Sequence, residues 1–261
     1  SGRKITAPAL IATLVTTWYG AINAIGMEVI NNGIVVWLYL GIFYYIAAVV
    51  YAYFIAPKII KKSYNSIPIS IYENYGKIPA LISLITVFFY LLPAPYILIL
   101  GQLINEIFNF QNLYISIIIG LFVSTIYTLK GGFSSIIKTD KIQFIFMFLG
   151  FAILSYTLFF SDKYGFEIIQ KLYNKKPEMF SIPGNLSWSY IGVFAFISLS
   201  TFIDPSFHQR TFAAKNLKTA QKSILCSIFF WFIFDFMTIS AALFYYALES
   251  VVDLATITSP Y

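Results

Sequence analysis

Long apolar stretches limit what this chain can fold into more than any other feature of its sequence. A helix that spans a bilayer needs about 20 mostly apolar residues. Seven stretches of the 261-residue chain have this character: residues 7–28, 34–56, 78–105, 112–129, 142–161, 187–205 and 223–248. Only 11% of the residues are charged, whereas soluble domains contain about 25%. The sequence therefore predicts an all-α, polytopic membrane protein with seven transmembrane helices, and it excludes a water-soluble domain.

The basic residues indicate how these helices are oriented. Taken in chain order, the seven stretches place 13 of the 17 Lys and Arg residues on the side of Ser1 and four on the opposite side. Lys and Arg accumulate in the cytoplasmic loops of membrane proteins. We therefore expect a multi-pass protein of the cell membrane, with its N-terminal end cytoplasmic and its C-terminal end external. The net charge of +6 then serves orientation and does not indicate a nucleic-acid partner.

Shorter helices are predicted between the spans. Residues 162–186 mix charges with Pro and Gly, which is typical of an external loop, and a short surface helix is expected from Phe166 to Leu172. Residues 63–77 alternate polar and apolar side chains and favour an interfacial helix over a further span. Pro93 and Pro95 should kink the third span, because proline removes a helical hydrogen bond.

The first span contains small and polar residues where a membrane helix is normally apolar. Gly20 and Gly26 flank Asn23, and Glu28 follows. One explanation is a discontinuous helix whose carbonyls bind a cation while the end of its second half faces a substrate. The other is close packing of small residues against a neighbouring helix, with Glu28 at the outer interface. The residues alone leave both explanations open.

Three aspartates are further candidate functional residues. Asp204 precedes Pro205 and is interpreted as marking the cytoplasmic end of the sixth span. Asp140, at the start of the fifth span, either satisfies helical amides or serves as a way station for a cation. Asp235 lies deep in the seventh span, where an ionised carboxylate is costly unless it is paired or hydrated. It is therefore either a functional residue or a protonated, hydrogen-bonded helix contact.

Motifs typical of enzymes are absent from the sequence. The chain contains one histidine, His208, and one cysteine, Cys226, so it has no disulfide within the chain and no cysteine-rich metal site. It has no phosphate-binding Gly-rich loop with a lysine and no metalloprotease motif. We therefore do not expect an enzyme, and His208 is interpreted as an interfacial side chain.

Two loop motifs resemble those of a known transporter family. The segment 131–143, GGFSSIIKTDKIQ, resembles the GG and TD-x-x-Q turn of the sodium:solute symporter family, and 209–216, QRTFAAKN, resembles its QR-x-x-AAK loop. Residues 2–3, 20–26 and 66–76 are similar to its opening segments in the same order. The resemblance implies a fold with five-plus-five core helices in inverted repeats. Residues 1–161 would form the first repeat, residues 162–186 the external loop, and residues 187–261 the start of the second repeat (core helices 6 and 7), in a fragment that lacks its natural start and three further core helices.

The resemblance also implies a function and a set of site residues. It implies sodium-coupled uptake of a small organic solute by alternating access, with sodium as the co-transported ion. Family members bind sodium through carbonyls of the first core helix, which correspond to Thr16 and Tyr19. The acid linked to sodium passage corresponds to Asp140, and the substrate-facing amide corresponds to Asn23.

The positions that hold sugar hydroxyls in sugar-transporting members are largely apolar in this sequence. They correspond to Leu40, Phe43, Ile197, Ser200 and Trp231. We therefore expect a solute-binding set of Asn23, Phe43, Ser200 and Trp231, which disfavours a sugar and favours a small monocarboxylate or an amino acid. An alternative function is a membrane sensor or signalling input module built on the same helices.

Overall fold

A computed structural model describes residues 5–19, 22–62, 66–110, 112–160 and 165–251. These residues are predominantly helical, and an isolated parallel bridge between Ile5 and Ala214 is the only extended pairing among them. The α-helices in the described ranges are α1 (Ala7–Trp18), α2 (Ile22–Asn32), α3 (Phe43–Val50), α4 (Ala56–Lys62), α5 (Ile67–Tyr75), α6 (Lys77–Tyr90), α7 (Ala94–Phe108), α8 (Leu113–Phe160), α9 (Gly165–Lys175), α10 (Trp188–Ser198), α11 (Pro205–Ala213) and α12 (Leu217–Val251). Further helical stretches are π-helices at Trp37–Ile42 and Tyr51–Ile55 and 3-10 helices at Pro177–Phe180 and Leu199–Phe202. The all-α class predicted from the sequence is confirmed.

Among the residues that the structure describes, five helical stretches are long and apolar enough to cross a bilayer. They are Trp37–Lys62, Lys77–Phe108, Ser135–Phe160, Trp188–Ala213 and Leu217–Ser250. The two other predicted spans correspond to the shorter apolar helices Ala7–Trp18 and Leu113–Ile126. The chain is thus a multi-pass membrane protein, whereas the count of seven spans and the orientation of the termini stay predictions.

The first and third predicted spans are interrupted. In the first, α1 ends at Trp18 and α2 begins at Ile22, with Gly20 and Ala21 between them lying outside the described residues. This agrees with the discontinuous helix that is one explanation of the sequence. In the third, α6 ends at Tyr90 and α7 begins at Ala94. Pro93 therefore interrupts this helix and does not merely kink it, because proline suits the first turn of a helix but not its interior.

The helix of the sixth predicted span is interrupted at Asp204. The 3-10 helix that follows α10 ends at Phe202, and α11 begins at Pro205. Asp204 is the N-cap of α11, where its Oδ1 accepts a hydrogen bond from the N–H of Phe207 at 2.7 Å. A capping carboxylate followed by proline is a helix start in physical terms. The structure therefore shows a helix boundary at Asp204, and the interpretation of this residue as the cytoplasmic end of the span stays a prediction.

The two predicted short helices are present. Helix α5 begins after Ser66, whose hydroxyl accepts from the N–H of Ile69 at 3.4 Å, and it ends at Tyr75, with Gly76 as its C-cap residue. Helix α9 is amphipathic, with Ile168 and Leu172 buried on one side. Their expected positions, in the membrane interface and in an external loop, stay predictions.

The chain forms two compact units, each assembled from three segments. The first unit comprises Ser1–Ala21, Ala52–Gln143 and Ile203–Ile224. The second unit comprises Ile22–Tyr51, Phe144–Phe202 and Leu225–Tyr261. One of the cuts, after Phe202, falls at the end of a 3-10 helix, whereas the cuts after Tyr51, Gln143 and Ile224 fall within helical stretches.

Close backbone contacts organise each unit. In the first unit, the N–H of Ile5 donates to the carbonyl of Ala213 at 3.2 Å, which ties the start of α1 to the end of α11. In the second unit, the N–H of Ile34 donates to the carbonyl of Met179 at 2.8 Å. Gly33 has a φ of +72°, and a Cβ there would lie 2.1 Å from the same carbonyl oxygen. Only glycine fits this approach, which joins the segment after α2 to the buried apolar core of the second unit.

Candidate cation and solute sites

A buried polar network in the first unit joins three elements of the sequence analysis. The hydroxyl of Thr13 on α1 donates to Oδ2 of Asp140 on α8. Arg210 on α11 donates from Nε to the Thr13 hydroxyl at 3.1 Å and to its carbonyl at 3.2 Å, and Nη2 donates to the hydroxyl of Thr17. Asp140 and Arg210 are each only 6% exposed, and Thr13 is fully buried. The two loop motifs therefore meet on α1, with opposite charges sharing one threonine.

The position of Asp140 contradicts one interpretation of this residue, in which its carboxylate satisfies the amides at a helix N-terminus. The helical segment of α8 that contains it follows a break at Gly132, where φ is +52° and ψ is −154°. Asp140 lies eight positions after this glycine in the chain, and helical residues run on both sides of it. It is therefore not in the first turn, where a carboxylate would satisfy helical amides, and its partner is the side chain of Thr13.

The two residues predicted to bind sodium through their carbonyls lie at the end of α1. Thr16 is in the last turn of α1, and Tyr19 is the C-cap residue, 5% exposed. The last four carbonyls of an α-helix have no intrahelical N–H partner. The hydroxyl of Thr16 donates to the carbonyl of Ala12 at 2.9 Å, so the Thr16 side chain binds the backbone of its own helix. Thr16, Tyr19 and Asp140 all belong to the first unit, and Thr13 links Asp140 to α1 one turn before Thr16.

The residues predicted to bind the solute all belong to the second unit. Asn23 is in the first turn of α2, but its side chain lies outside the described part of the structure. Phe43 begins α3 and is half-buried, Ser200 lies in the 3-10 helix that packs against α3, and Trp231 on α12 is 1% exposed. The structure therefore places Phe43 and Ser200 on neighbouring elements. Leu40 and Ile197 provide apolar side chains on the π-helix before α3 and on α10.

A second buried carboxyl group, Asp235, lies on α12 in the same unit. It is 6% exposed, and its Oδ2 accepts a hydrogen bond from the hydroxyl of Tyr45 on α3, which is 8% exposed. Gly41 approaches the same atoms, since a Cβ at this position would lie 3.0 Å from Oδ2 of Asp235 and 3.2 Å from the Tyr45 hydroxyl. The pair is therefore tightly enclosed between α12 and the second predicted span.

Glu28 has a similar phenolic partner. Its Oε2 accepts from the hydroxyl of Tyr39 at 2.6 Å and from Nδ2 of Asn32 at 3.0 Å. Nδ2 of Asn32 also lies 3.2 Å from the Tyr39 hydroxyl. Tyr39 is fully buried, whereas Glu28 is only partly buried. The carboxylate of the first predicted span is thus held by neighbouring side chains at the end of α2.

Sequence reasoning assigned no site role to four of these polar residues. Thr13 and Thr17 lie one helical turn apart in an apolar segment, and this hydroxyl spacing was a usable signal. Arg210 was recognised only as part of a loop motif, and its contact with α1 depends on the tertiary fold. Tyr45 stands among many aromatic residues, so no local pattern distinguishes it from a core side chain.

Comparisons of the sequence with known proteins indicate the family. A model of the sodium:solute symporter family matches residues 1–259. The chain is 28% identical over 145 residues to sodium/glucose cotransporter 4 of Danio rerio, a match that covers 46% of this chain and 22% of that relative. It is 29% identical over 133 residues to sodium/glucose cotransporter 4 of Mus musculus, covering 42% and 19% of the two chains.

These matches span about a fifth of the length of the curated relatives. The family model, in contrast, extends over almost the whole chain, and it includes both loop motifs that meet on α1. Members of the matched family are transporters and not enzymes. This chain belongs to the sodium:solute symporter family.

Proposed function

We propose that this protein takes up a small organic solute across the cell membrane by sodium-coupled alternating access. The observation that carries the proposal is the hydrogen bond from Thr13 to Asp140. It brings the carboxylate of the TD turn to α1, one turn before the helix end at which Thr16 and Tyr19 lie. An acidic group beside a helix C-terminus is a suitable environment for a cation, because both carry negative charge or partial charge.

In this proposal, the carbonyls of Thr16 and Tyr19 bind the co-transported sodium ion. Sodium prefers hard oxygen ligands, as other hard cations do. Asp140 attracts the ion toward α1, while Arg210 balances the carboxylate when the ion is absent. We further propose that residues 1–161 form the first five-helix repeat and residues 187–261 begin the second, with residues 162–186 as the external loop and the N-terminal end in the cytoplasm.

The proposed solute is a small monocarboxylate or an amino acid with an apolar tail. Asn23, Phe43, Ser200 and Trp231 form the proposed solute-binding set, with Leu40 and Ile197 as apolar neighbours in sequence. The curated relatives are named as glucose cotransporters, but Ser200 is the only hydroxyl among the described members of this set. Each sugar hydroxyl left without a partner costs about 1–3 kcal/mol, so hexoses should be rejected by orders of magnitude.

The test is uptake by the full-length protein that carries this chain, reconstituted in liposomes. Labelled proline, pyruvate, acetate and glucose are supplied with an inward sodium gradient, and choline replaces sodium in the control. We expect accumulation of proline, pyruvate or acetate only with sodium, because the α1 site supplies oxygen ligands for a metal ion. Uptake that is unchanged in choline would contradict sodium coupling, and preferential uptake of glucose would contradict the proposed solute class.

Asn23→Ala tests the solute site separately from the cation site. Removing a small amide should weaken solute affinity about tenfold while protein abundance stays the same, because hydrogen bonds of this kind contribute about 0.5–1.5 kcal/mol. A parallel measurement of uptake against sodium concentration should show no comparable shift. Equal losses of abundance and transport would instead indicate a packing role for Asn23.

A further inference from the structure

The charged residues of the chain are distributed unequally between its two units. The first unit contains 13 of the 17 basic residues but only four of the 11 acidic residues, whereas the second contains four basic and seven acidic residues. One of the four acidic residues of the first unit, Asp140, is buried. The surface of the first unit is therefore strongly basic.

Four of its lysines lie where candidate membrane spans end. Lys62 ends the first of the five long apolar stretches, and Lys77 begins the second. Lys58 precedes Lys61 and Lys62 on α4 by three and four residues, so these side chains share one side of the helix. All four lysines are exposed. The ends of a span lie at the level of the lipid headgroups, which places these ammonium groups at the depth of the phosphates.

Helix α5 connects the two span ends. Nζ of Lys62 donates to Oδ1 of Asn74 on α5 at 3.5 Å, and α5 packs against α6, which begins at Lys77. The structure thus brings the basic end of α4 near the basic start of α6. Glu73 is the one acidic residue of the sequence between positions 52 and 105, so the positive charges of this region are largely uncompensated.

The exposed side of α5 is apolar and aromatic. Ile69, Tyr72 and Tyr75 follow one another at three-residue intervals and are 44%, 58% and 75% exposed. Tyrosine is enriched at membrane–water interfaces, because its ring suits the acyl boundary while its hydroxyl reaches water. Apolar side chains flanked by lysines are typical of a helix that lies in the headgroup region. We term the combined surface the basic face, which consists of Lys58, Lys61, Lys62, Lys77, Tyr72 and Tyr75.

Further positive charge lies close to the basic face. Helix α4 packs against α11, and the exposed Lys215 and Lys218 follow the end of α11. Nε2 of Gln221 on α12 donates to the carbonyl of Ala52 at 3.2 Å, which joins the start of α12 to the segment before α4. Several flexible ammonium groups at span ends suit a layer of anionic headgroups, whose attraction for each basic residue adds to that for the next.

We propose that the basic face binds anionic phospholipids, with the lysine ammonium groups at the lipid phosphates and the rings of Tyr72 and Tyr75 in the interface. Charge complementarity determines the occupant, since phosphatidylglycerol carries a net negative charge and phosphatidylcholine does not. None of these residues belongs to the proposed cation-binding or solute-binding sets, so the inference goes beyond the proposed function. Binding through exposed charges is weakened by salt.

The first experiment measures lipid preference without a variant. The full-length protein in detergent is incubated with equal amounts of dioleoyl phosphatidylglycerol and dioleoyl phosphatidylcholine, and the retained lipids are quantified by mass spectrometry. We expect about fivefold more phosphatidylglycerol than phosphatidylcholine. Raising potassium chloride from about 0.05 M to about 0.5 M should remove most of this preference, because the charges are then screened. Equal retention of the two lipids at low salt would overturn the inference.

Lysine variants assign the preference to the basic face. The triple variant Lys58→Gln/Lys61→Gln/Lys77→Gln should lower it to below about twofold, whereas the same three changes to Arg should keep it, because the charges remain. Lys62 is left in place because it is hydrogen-bonded to Asn74. A preference that persists in the Gln variant, or that is lost equally in the Arg variant, would overturn the inference.

The aromatic part of the face has its own matched control. Tyr72→Ser/Tyr75→Ser should lower the retention of phosphatidylglycerol about twofold. Tyr114→Ser should leave it unchanged, because Tyr114 is also 75% exposed but lies in a stretch, residues 78–129, without a basic residue. Equal effects of the double variant and the control would contradict a role for the α5 tyrosines.

Amine acetylation in liposomes shows what covers the face. In phosphatidylcholine alone, Lys58, Lys61 and Lys77 should react rapidly, and phosphatidylglycerol should slow the reaction about threefold by covering the amines. Equal rates in the two lipids would contradict the inference. Lysines already protected in phosphatidylcholine would show that another segment of the full-length protein, or a second copy, covers the face, and this result would also overturn the proposal.

Discussion

The two units of the chain hold their buried carboxyl groups in different ways. In the first unit, Asp140 and Arg210 share the hydroxyl of Thr13, so a negative and a positive side chain are buried together. In the second unit, the buried Asp235 accepts from the hydroxyl of Tyr45, and the partly buried Glu28 accepts from the hydroxyl of Tyr39 and from the side-chain amide of Asn32. The four Lys residues of the second unit all lie in its segment 162–186.

This difference separates two roles of buried charge. An ion isolated in an apolar region is unfavourable unless it is paired and hydrogen-bonded. The first unit supplies the pairing charge from its own sequence, which makes its network part of the stability of the fold. The second unit supplies hydrogen bonds but no basic side chain from its membrane helices. The two units therefore differ in the side chains that accompany their carboxyl groups, and the following variants test this contrast.

Arg210→Gln should have the largest effect on stability. It removes the positive charge that shares Thr13 with Asp140, and breaking a buried charge pair from one side costs about 3–5 kcal/mol. The measurement is thermal unfolding of the purified protein in detergent, compared with wild type. Lys218→Gln is the control, because this basic side chain is exposed on α12. If Arg210→Gln is as stable as the wild-type protein, the contrast between the two units is wrong, since Asp140 then needs no internal partner.

Gly41→Ala should have the next largest effect. A Cβ there would approach the carboxylate, the phenol and Trp37 at 3.0, 3.2 and 2.9 Å, and overpacking of this kind costs about 1–3 kcal/mol. Gly150→Ala is a matched control on α8 of the same unit, because a Cβ at Gly150 would meet no atom within 4 Å. The control should be neutral or slightly stabilising, since Ala favours a helix over Gly. Equal melting temperatures of the two variants would show that Asp235 is not closely enclosed.

Asp235→Leu should lower the stability by about 1 kcal/mol only, although the residue is as buried as Asp140. The leucine side chain gains apolar burial, which offsets part of the loss when the Tyr45 hydroxyl no longer has its acceptor. The companion variant Asp140→Leu leaves Arg210 buried without its opposite charge and should cost about 3–5 kcal/mol. Thermal unfolding of the two variants in parallel gives the comparison directly. A larger loss in Asp235→Leu than in Asp140→Leu would reverse the roles assigned to the two units.

The sequence predicts the class of this fold better than the geometry of its sites. Apolar stretches of sufficient length identified the long helices, because burial in a bilayer imposes a requirement on every residue of a span. The loop motifs identified Asp140 and Arg210 individually. Their meeting on Thr13 was not predictable, because it depends on contacts between residues more than 120 positions apart in the chain. The start of α11 directly after Asp204 was not predicted for a related reason, since a proline marks a helix boundary without showing whether a helix resumes.

Glu28→Gln should have the smallest effect, below about 0.5 kcal/mol, in keeping with a partly exposed polar side chain. The glutamine carbonyl oxygen can still accept from Tyr39 and Asn32, and Nδ2 of Asn32 also lies within 3.2 Å of the Tyr39 hydroxyl. The hydrogen bonds at the end of α2 therefore survive the loss of the charge. Thermal unfolding of this variant is measured between pH 5 and pH 8, a range in which the substituted amide does not titrate. A loss comparable to that of Arg210→Gln would show that the second unit also depends on a buried charge for its stability, and the contrast between the two units would then fail.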